Sequence, residues 1–392
     1  MARVLVTGGS GHMGRRAVRA LLDDGHDVTV ADRRPAHDGR ARFVEVDATD
    51  DASLLAAMRE RDVTVNFVGP YYRFGTRVAE AAIRAGCPYV DVCDDADVTE
   101  ALLALDERAR DAGVALVVGA GMSPGVLNAV TQAAAADFDE VDELLTAWVV
   151  DERTESGTAP LDHFFHGMAD EIPIWDDGDR RVVKPFTDAS AEAFPFPEPV
   201  GTVEVRDIGH PETVTLPRVI PARSVRNKGA LLPVQSAPIF RTLAGIGLLS
   251  DAEVEVGGTA VRARDFVVAY LTQRHNERLA EGAEDLSAMG VRVTGRRGGA
   301  EAVRHVAFSR HLSMADSTAL PAVAATDVVL GGSIEPGVHG PEALGPPRWF
   351  ERIVHHAGDS FDDLAVWDGD DAGAARTLSL IECGLLGEER AS

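Results

Sequence analysis

The chain has 392 residues, of which 45% are hydrophobic and 26% are charged, a composition typical of a globular protein with about two domains. Lys and Arg number 38 against 63 Asp and Glu, which gives a formal net charge of −25. A charge of this sign repels polyanions and excludes general binding to nucleic acids or to an anionic membrane surface.

The cysteine content and the first residues bear on where the protein works. Cys87, Cys93 and Cys383 lack metal-binding spacing and cannot all pair, so we expect a reducing, cytoplasmic setting. The chain opens on a segment that already has the pattern of a strand, without the features of a signal peptide. No apolar run approaches the ~20 residues that a membrane span needs.

Short apolar runs alternate with amphipathic helical patterns in the first third of the chain. The runs are at 4–6, 28–31, 43–46, 63–68, 89–92 and 114–118. Helical patterns between them end at Gly25, Gly86 and Gly113, where glycine favours a C-terminal cap. Because apolar strands alternating with helices are typical of a covered parallel sheet, we predict an α/β fold with a Rossmann-type doubly wound sheet.

The middle of the chain has a different pattern. From about 151 to 234 it is rich in Pro, Asp and aromatic residues. Period-two alternation at 203–206, 214–216, 291–294 and 305–308 predicts half-buried strands of a second, mostly antiparallel α+β domain. After Ser317 the pattern becomes helical again.

A glycine-rich segment follows directly after the first predicted strand. Its spacing fits G-x-G-x-x-G, in which the glycines permit a tight turn, a close approach to a pyrophosphate and close packing of helix on strand. The N–H groups at the start of the following helix also favour phosphate. We expect the whole segment to bind a dinucleotide: Gly9, Ser10, Gly11, His12, Met13 and Gly14.

The end of the second predicted strand bears on the choice of coenzyme. Asp32 comes 18 residues after Gly14, where a carboxylate binds the ribose hydroxyls of NAD and repels a 2′-phosphate. Arg33 and Arg34 follow and could pair with a 2′-phosphate or be solvated surface charges. The coenzyme is therefore NAD or NADP, with a preference for NAD. Asp47 could contact the adenine or begin a helix.

One large class of dinucleotide enzymes can be excluded. Short-chain dehydrogenases use a Tyr-x-x-x-Lys pair for proton transfer. None of the four tyrosines, Tyr71, Tyr72, Tyr89 and Tyr270, has a lysine four residues later.

Several segments in chain order resemble the saccharopine dehydrogenase (NADP-type reductase) family. They are Asn-Phe-Val-Gly-Pro-Tyr-Tyr (66–72), Ala-Gly-Cys-Pro-Tyr-Val-Asp (85–91), Gly-Ala-Gly-Met-Ser-Pro-Gly (119–125) with Asn128, His-Pro-Glu-Thr-Val (210–214), Val-Arg-Asn-Lys-Gly (225–229), Ser-Thr-Ala-Leu-Pro-Ala (317–322) and Pro-Gly-Val-His-Gly-Pro-Glu (336–342). The resemblance covers the chain from residue 1 to about 360.

The resemblance implies a domain arrangement and a reaction. It implies a dinucleotide-binding domain over 1–127, an inserted α+β substrate and dimerisation domain over 128–311, and a return to the first domain over 312–392. The implied reaction is hydride transfer at a C–N bond of an amino-acid-derived substrate, as imine reduction or secondary-amine oxidation, in a homodimer. Two alternatives stay open: a C=C (enoyl) reductase in natural-product or lipid assembly, and a non-catalytic dinucleotide-binding protein.

Candidate site residues lie at the ends of the fourth and fifth predicted strands. Gly69, Pro70 and Tyr71 are expected beside the nicotinamide, with Tyr71 as a wall or a proton carrier; the alternative is a helix-start proline with a packing aromatic ring. Asp91 could orient an amine or exchange a proton, or form structural hydrogen bonds. Cys93 is a candidate substrate contact or a small buried residue.

Further candidates are expected at the substrate. The resemblance places Ser123 and Asn128 there, although the family often has an acidic residue at the position of Ser123, so the substrate need not be saccharopine. Residues 218–228 hold four basic residues and no acidic one, so Arg226 and Lys228 could clamp a substrate carboxylate, and Lys228 could donate a proton. The alternative is a loop whose arginines pair with the acidic surface.

Two histidine-containing segments are given structural interpretations. His163 and His166 lie three residues apart but have no evident third ligand, so we predict no metal site and a surface or domain-interface position. The segment from His210 to Glu212 predicts a structural turn, with a substrate role as the alternative.

Overall fold

The computed structural model describes residues 1–35, 39–151, 158–169, 171–232, 236–279, 287–309, 312–358 and 363–387, arranged around two sheets. The first part of the chain supplies β1 (Arg3–Thr7), α1 (His12–Asp23), β2 (Asp27–Asp32), β3 (Arg42–Glu45), α2 (Asp51–Met58), β4 (Val63–Asn66), α3 (Tyr71–Ala85), β5 (Tyr89–Asp91), α4 (Ala96–Leu103), α5 (Asp106–Ala112), β6 (Ala115–Val117) and α6 (Val126–Ala135).

The second part builds most of the other sheet. It supplies β7 (Glu140–Asp151), α7 (Thr158–Ala169), β8 (Ile172–Asp176), β9 (Asp179–Val183), β10 (Glu192–Pro195), β11 (Thr202–Asp207), α8 (Glu212–Thr215), β12 (Ala222–Leu232), α9 (Ser236–Gly245), β13 (Glu253–Val256), β14 (Thr259–Arg262), α10 (Ala263–Leu279), β15 (Ala288–Arg297) and β16 (Ala300–Ser309). The last part supplies α11 (Met314–Leu330), β17 (Gly337–His339), α12 (Pro346–Ala357), β18 (Asp363–Asp368) and β19 (Arg376–Ser379).

The first sheet is parallel and doubly wound. Its order is β17-β6-β5-β4-β1-β2-β3, and every pairing in it is parallel. Val4, Leu5 and Val6 are fully buried, as expected of a strand covered on both faces. The predicted Rossmann-type fold is confirmed. The strand order reverses at β1, so the carboxyl ends of β1, β4, β5 and β6 border the place where this fold binds a dinucleotide, which we call the coenzyme crevice.

The second sheet is mixed. Its main order is β10-β11-β12-β7-β15-β16-β18-β19, with β8 and β9 attached beside β12. β12 and β7 are parallel, and the other pairs are antiparallel. On one face, Leu144 and Trp148 belong to the core shared with the first sheet. On the other face, Leu145 and Ala147 pack in a smaller core around Phe194.

Two parts of the chain differ from expectation. The predicted strand at 214–216 is helical, because α8 and a 3₁₀ turn over Leu216–Arg218 occupy it. Prolines at 211 and 217 flank it, and proline cannot donate to a sheet ladder but suits the first turn of a helix.

The expected return of 312–392 to the first domain divides between the two sheets. β17 pairs with β6 in the first sheet, and α11 and α12 pack there. β18 instead pairs with β16 and β19 with β18, which extends the second sheet. Among the described residues, no helix has both the length and the apolar character needed to cross a membrane.

Candidate active site

The turn between β1 and α1 brings its glycines together. A Cβ on Gly14 would lie 2.3 Å from the carbonyl oxygen of Gly8, so only glycine permits this packing. Gly8 has φ +72° and sits against the backbone of Phe67, after β4. α1 begins after Gly11, and the first N–H groups of a helix lack intrahelical partners. The turn therefore fits a pyrophosphate, with Gly8 as a member that the sequence analysis did not single out.

Asp32 holds the loop after β2 against this turn. The N–H of Ser10 donates to Asp32 Oδ2 over 3.1 Å, and the N–H of Arg34 donates to Oδ1 over 3.2 Å. The hydroxyl of Ser10 donates to the carbonyl of Arg34 over 2.6 Å. Arg33 and Arg34 are exposed. The carboxylate thus fixes the loop that carries Arg33 and Arg34 against the glycine turn.

Asp47 takes part in a local turn. The N–H and the hydroxyl of Thr49 donate to its carboxylate over 2.8 and 2.7 Å, and these bonds lower the pKa of Asp47. The turn precedes α2, whose N-cap is Asp50. The contacts correspond to the helix-start alternative.

Gly69, Pro70 and Tyr71 connect β4 to α3 at the crevice. Pro70 is the residue before the helix, and the Tyr71 side chain is buried. The Tyr71 hydroxyl donates to the carbonyl of Asn66 over 2.7 Å and accepts from the N–H of Val92 over 3.3 Å. Burial raises the pKa of Tyr71 well above its usual value. These contacts favour the packing alternative.

Asp91 links the ends of β5 and β6. Its Oδ1 accepts from the N–H groups of Cys93 and Gly119 over 3.0 and 2.8 Å, and its Oδ2 accepts from the Tyr89 hydroxyl over 2.8 Å. Asp91 is completely buried, and that burial raises its pKa to about 6. Asp91 lies at the crevice, but both of its carboxylate oxygens are hydrogen-bonded to other groups of the protein.

Cys93 is also buried at the crevice. Its Sγ lies 3.7 Å from the Asp95 carbonyl oxygen and 3.7 Å from the Thr99 hydroxyl. Burial raises the pKa of the thiol well above its usual value, so the thiolate is disfavoured.

The structure does not bring Arg226 and Lys228 to the crevice. Arg226 pairs with Asp207 over 2.9 Å, and Lys228 pairs with Glu192 over 2.6 Å. Asn227, between them on β12, accepts a 3.0 Å hydrogen bond from the indole N–H of Trp148 on the face toward the first domain. Because side chains alternate along a strand, Arg226 and Lys228 lie on the opposite face.

Two histidines from the second domain lie over the crevice instead. His163 Nδ1, on α7, is 2.7 Å from Asp95 Oδ1 and 3.5 Å from Asp94 Oδ1, just after β5. His210 Nδ1, just before α8, is 2.7 Å from Glu212 Oε2. The two imidazole rings meet edge to face with their centroids 5.4 Å apart.

Ser123 joins this group from the loop after β6. Its hydroxyl donates to Glu212 Oε1 over 2.6 Å. Trp148 packs against Gly229, where a Cβ would be 2.4 Å from the indole, and its ring centroid is 5.8 Å from that of His210. We call Ser123, His163, His210 and Glu212 the histidine cluster.

The charges in the histidine cluster compensate one another. Burial alone would lower the pKa of His163, but the carboxylates of Asp94 and Asp95 outweigh it and raise the pKa to about 9. Burial alone would raise the pKa of Glu212, but His210 and the Ser123 hydroxyl lower it below its usual value. At neutral pH the cluster therefore holds an imidazolium and a buried carboxylate.

Asn128 lies deeper, at the start of α6. Its side-chain N–H groups donate to Glu342 Oε1 over 2.6 Å and to the Thr215 hydroxyl over 3.1 Å, and its Oδ1 accepts from the N–H of Gly125. Asn128 is completely buried, so these contacts tie α6 to α8 rather than expose an amide to the crevice.

One possible metal-binding group adjoins the histidine cluster. Ligand atoms of Asp94, Asp95 and His163 lie within 4.8 Å of one another. Because His163 Nδ1 lies 2.7 Å from Asp95 Oδ1, we interpret the group as an ion-pair network.

Comparisons with known proteins bear on the first domain and on the fold. Residues 4–117 match the family model of the saccharopine dehydrogenase NADP binding domain. The carboxynorspermidine synthase of Vibrio cholerae is 26% identical over 338 residues, which cover 79% of this chain and 80% of that protein. The saccharopine dehydrogenase [NADP(+), L-glutamate-forming] of Pyricularia oryzae is 30% identical over 125 residues, 30% of this chain and 27% of that protein.

A solved structure extends the likeness to the whole fold. The apo saccharopine dehydrogenase (L-Glu forming) of Saccharomyces cerevisiae superposes with a TM-score of 0.63, covering 94% of this chain and 100% of that chain at 16% identity. The chain resembles saccharopine dehydrogenases in sequence over residues 4–117 and in fold over most of its length. The matched segment corresponds to the domain that binds a nicotinamide dinucleotide in that family. The family model describes an NADP binding domain, so the preference for NAD drawn from Asp32 is not supported.

Proposed function

We propose that the protein reduces an imine formed between an amine and an amino-acid-derived oxo acid, or catalyses the reverse reaction. The observation that carries the proposal is the histidine cluster, in which His163, His210 and Glu212 of the second domain meet Ser123 beside the carboxyl ends of β5 and β6. The similarity to a carboxynorspermidine synthase and to saccharopine dehydrogenases supports C–N chemistry.

In this proposal the chain binds and orients the reactants. The bound coenzyme supplies a hydride. The glycine turn after β1 cradles the pyrophosphate, and α7 and α8 exclude water from the crevice, which strengthens the electrostatic interactions inside it. Holding the hydride donor and the imine carbon in contact converts a bimolecular encounter into a step within one complex.

The amine and the carboxylate of the proposed substrate require protein groups of opposite charge. Asp94 keeps 31% of its side chain exposed beside His163 and offers a carboxylate to a cationic amine. Arg226 and Lys228 were expected to clamp a carboxylate, but both are paired on the far face of the second sheet. If the double variant R226A/K228A keeps its turnover, the substrate carboxylate binds elsewhere.

We propose NADPH as the coenzyme. Asp32 directs both carboxylate oxygens to backbone N–H groups, and Arg33 and Arg34 are exposed beside it. Guanidinium groups bind phosphate oxygens in a fork, as a 2′-phosphate requires.

A screen of amine and oxo-acid pairs, followed by oxidation of NADPH and NADH, tests the reaction. We expect one pair to drive oxidation faster than either partner alone and to yield a secondary amine by mass spectrometry. Oxidation driven by an α,β-unsaturated thioester instead would identify a C=C reductase. Coenzyme binding without oxidation by any pair would identify a binding protein.

We further propose a homodimer in the cytoplasm. Large apolar side chains are exposed on β13 and α10, namely Val254, Val256, Phe266 and Tyr270. Exposed apolar surface of this kind is typical of protein interfaces. The three cysteines are free, as in a reducing compartment.

A further inference from the structure

The nitrogen of a reduced imine needs a proton, and the residues expected to supply it are occupied. Tyr71 donates to a backbone carbonyl, and both oxygens of Asp91 accept hydrogen bonds within the protein. Cys93 is buried as a thiol. Lys228 is paired with Glu192 on the far face of the second sheet. The donor must therefore be sought among other groups at the crevice.

We propose that His210, oriented by Glu212, is the general acid that gives this proton, and the general base that takes it in reverse. The assignment rests on the proposed imine reduction. His210 is 4% exposed and stands between Ser123, which follows β6, and His163, which lies over the end of β5. It is thus held by the second domain against the same edge of the sheet where the coenzyme binds.

The contacts of His210 assign a role to each ring nitrogen. A charged Glu212 accepts hydrogen bonds and cannot donate, so the 2.7 Å contact requires a proton on His210 Nδ1. Ser123 donates to the other Glu212 oxygen and so fixes the carboxylate. Within the described residues, no group hydrogen-bonds to His210 Nε2. Nε2 is therefore the nitrogen left to exchange a proton with substrate.

The proton transfer balances with the hydride transfer. As a hydride adds to the imine carbon, a C–H bond forms and the C=N π pair moves onto nitrogen. That nitrogen takes the proton from Nε2 of the imidazolium, which leaves neutral His210 with its Nδ1–H still directed at Glu212. His210 regains a proton from solvent before the next turnover.

The neighbouring charges act on this proton in opposite directions. Glu212 attracts it, and the imidazolium of His163, 5.4 Å away between ring centroids, repels it. Asp94 and Asp95 contact His163 and hold it in its charged form. The Trp148 ring covers His210 from β7 without adding charge.

Variants of the dyad test the proposal with the imine pair found active. We expect H210Q to lower kcat ~100-fold or more, the usual contribution of a positioned acid or base, with NADPH affinity by fluorescence within twofold of wild type. The pH profile of kcat should lose one limb, and imidazole should restore activity to H210A. E212Q should lower kcat less than H210Q. H355Q, an exposed histidine on α12, is the matched control and should keep wild-type kcat.

Retention by H210Q of at least a third of wild-type kcat with an unchanged pH profile would overturn the assignment. Folding is checked by circular dichroism, and E212Q together with the imidazole rescue provides a second route if H210Q does not fold.

A second measurement is independent of turnover and separates this proposal from the proposed reaction. In ¹⁵N-labelled protein, the His210 ring is identified as the resonance lost in H210Q. We expect its neutral form to carry the proton on Nδ1 and to lose that preference in E212Q. A proton on Nε2 in the neutral wild-type ring would refute the dyad, even with an active enzyme. If no imine pair is active but the Nδ1–H form is observed, the reaction fails while the orientation of His210 stands.

Discussion

The imidazole of His163 lies 2.7 Å from the carboxylate of Asp95, and this contact joins α7 of the second domain to the end of β5 in the first. A neighbouring contact has the same direction: the Tyr72 hydroxyl, at the start of α3, donates to Asp162 over 2.9 Å. These contacts therefore hold the two domains together over the coenzyme crevice. Their strength depends on the protonation state of the groups that form them.

Stability should fall in alkaline solution because of His163. Its pKa in the folded protein is raised to about 9 from 6.5, so the folded state holds its proton more tightly. The resulting stabilisation is complete below pH 6.5 and is lost as the pH rises through about 9. The full effect is about 3 kcal/mol, since one pKa unit corresponds to about 1.4 kcal/mol. Urea unfolding of wild type and H163Q from pH 6 to 9.5 measures it. A constant difference between the two proteins across this range would contradict the prediction.

Asp91 should affect the free energy of unfolding in the acidic pH range. Its pKa rises from 3.8 to about 6 on folding, so between these values the folded state binds a proton that the unfolded state has released. Stability relative to D91N should therefore decrease as the pH rises from about 4 to about 6, by about 3 kcal/mol. Unfolding free energies of both proteins at a series of pH values test this. A difference that grows with pH would show that the folded protein favours the carboxylate.

Substitution in the glycine turn should remove coenzyme binding. In G14A the new methyl group would lie 2.3 Å from the Gly8 carbonyl oxygen, so the turn must open, at a cost of about 1–3 kcal/mol. We expect NADPH affinity to fall at least ~10-fold, as the displaced N–H groups no longer converge on the pyrophosphate. In the control G39A, the added methyl group meets nothing within 4 Å. Fluorescence titration with NADPH compares the two, and equal affinities would place the coenzyme elsewhere.

Arg33 and Arg34 should decide the coenzyme preference. We expect R33S/R34S to raise the KM for NADPH about tenfold or more, because a charge-assisted hydrogen bond contributes ~1.5–3 kcal/mol. The KM for NADH should change little, as NADH lacks the 2′-phosphate. R352S, an exposed arginine on α12, is the control. A similar loss for both coenzymes would show that the arginines do not distinguish them.

The exposed apolar surface should control the oligomeric state. Phe266 and Tyr270 are 64% and 54% exposed, with their rings stacked 6.2 Å apart. Light scattering after gel filtration should give a dimer for wild type and a monomer for F266S/Y270S. V182S, which removes an apolar side chain that is 48% exposed on β9, should stay dimeric. A monomeric wild type would refute the dimer, and a dimeric F266S/Y270S would place the interface on another surface.

The first domain could be predicted from the sequence because its signals are local. The strands are continuous apolar runs, the glycine turn follows β1 directly, and Asp32 ends β2. The role of Gly8 could not be predicted from the sequence, because it packs against the backbone of Phe67, which is distant in the chain but adjacent in the sheet.

The second domain shows what local patterns cannot give. Arg226 and Lys228 belong to a basic stretch of the sequence, but the face of the sheet that they occupy depends on the orientation of β12. That orientation is shown by the contact between Asn227 and Trp148. His210 resembles a turn residue until Ser123, 87 positions earlier, is found beside it. Contacts between residues so far apart in the chain produce no regular spacing that could be recognised in the sequence.

The placement of β18 has a consequence for biosynthesis. β16 can pair with β15 once both have left the ribosome, whereas the strand that covers its other edge, β18, is made later, at residues 363–368. In the interval, some fifty residues fold back to complete the first sheet while β16 presents an open row of backbone hydrogen-bonding groups. A nascent chain stalled at this stage would offer a template for pairing with another chain, so aggregation of the newly made protein should depend on how quickly its last strands are delivered.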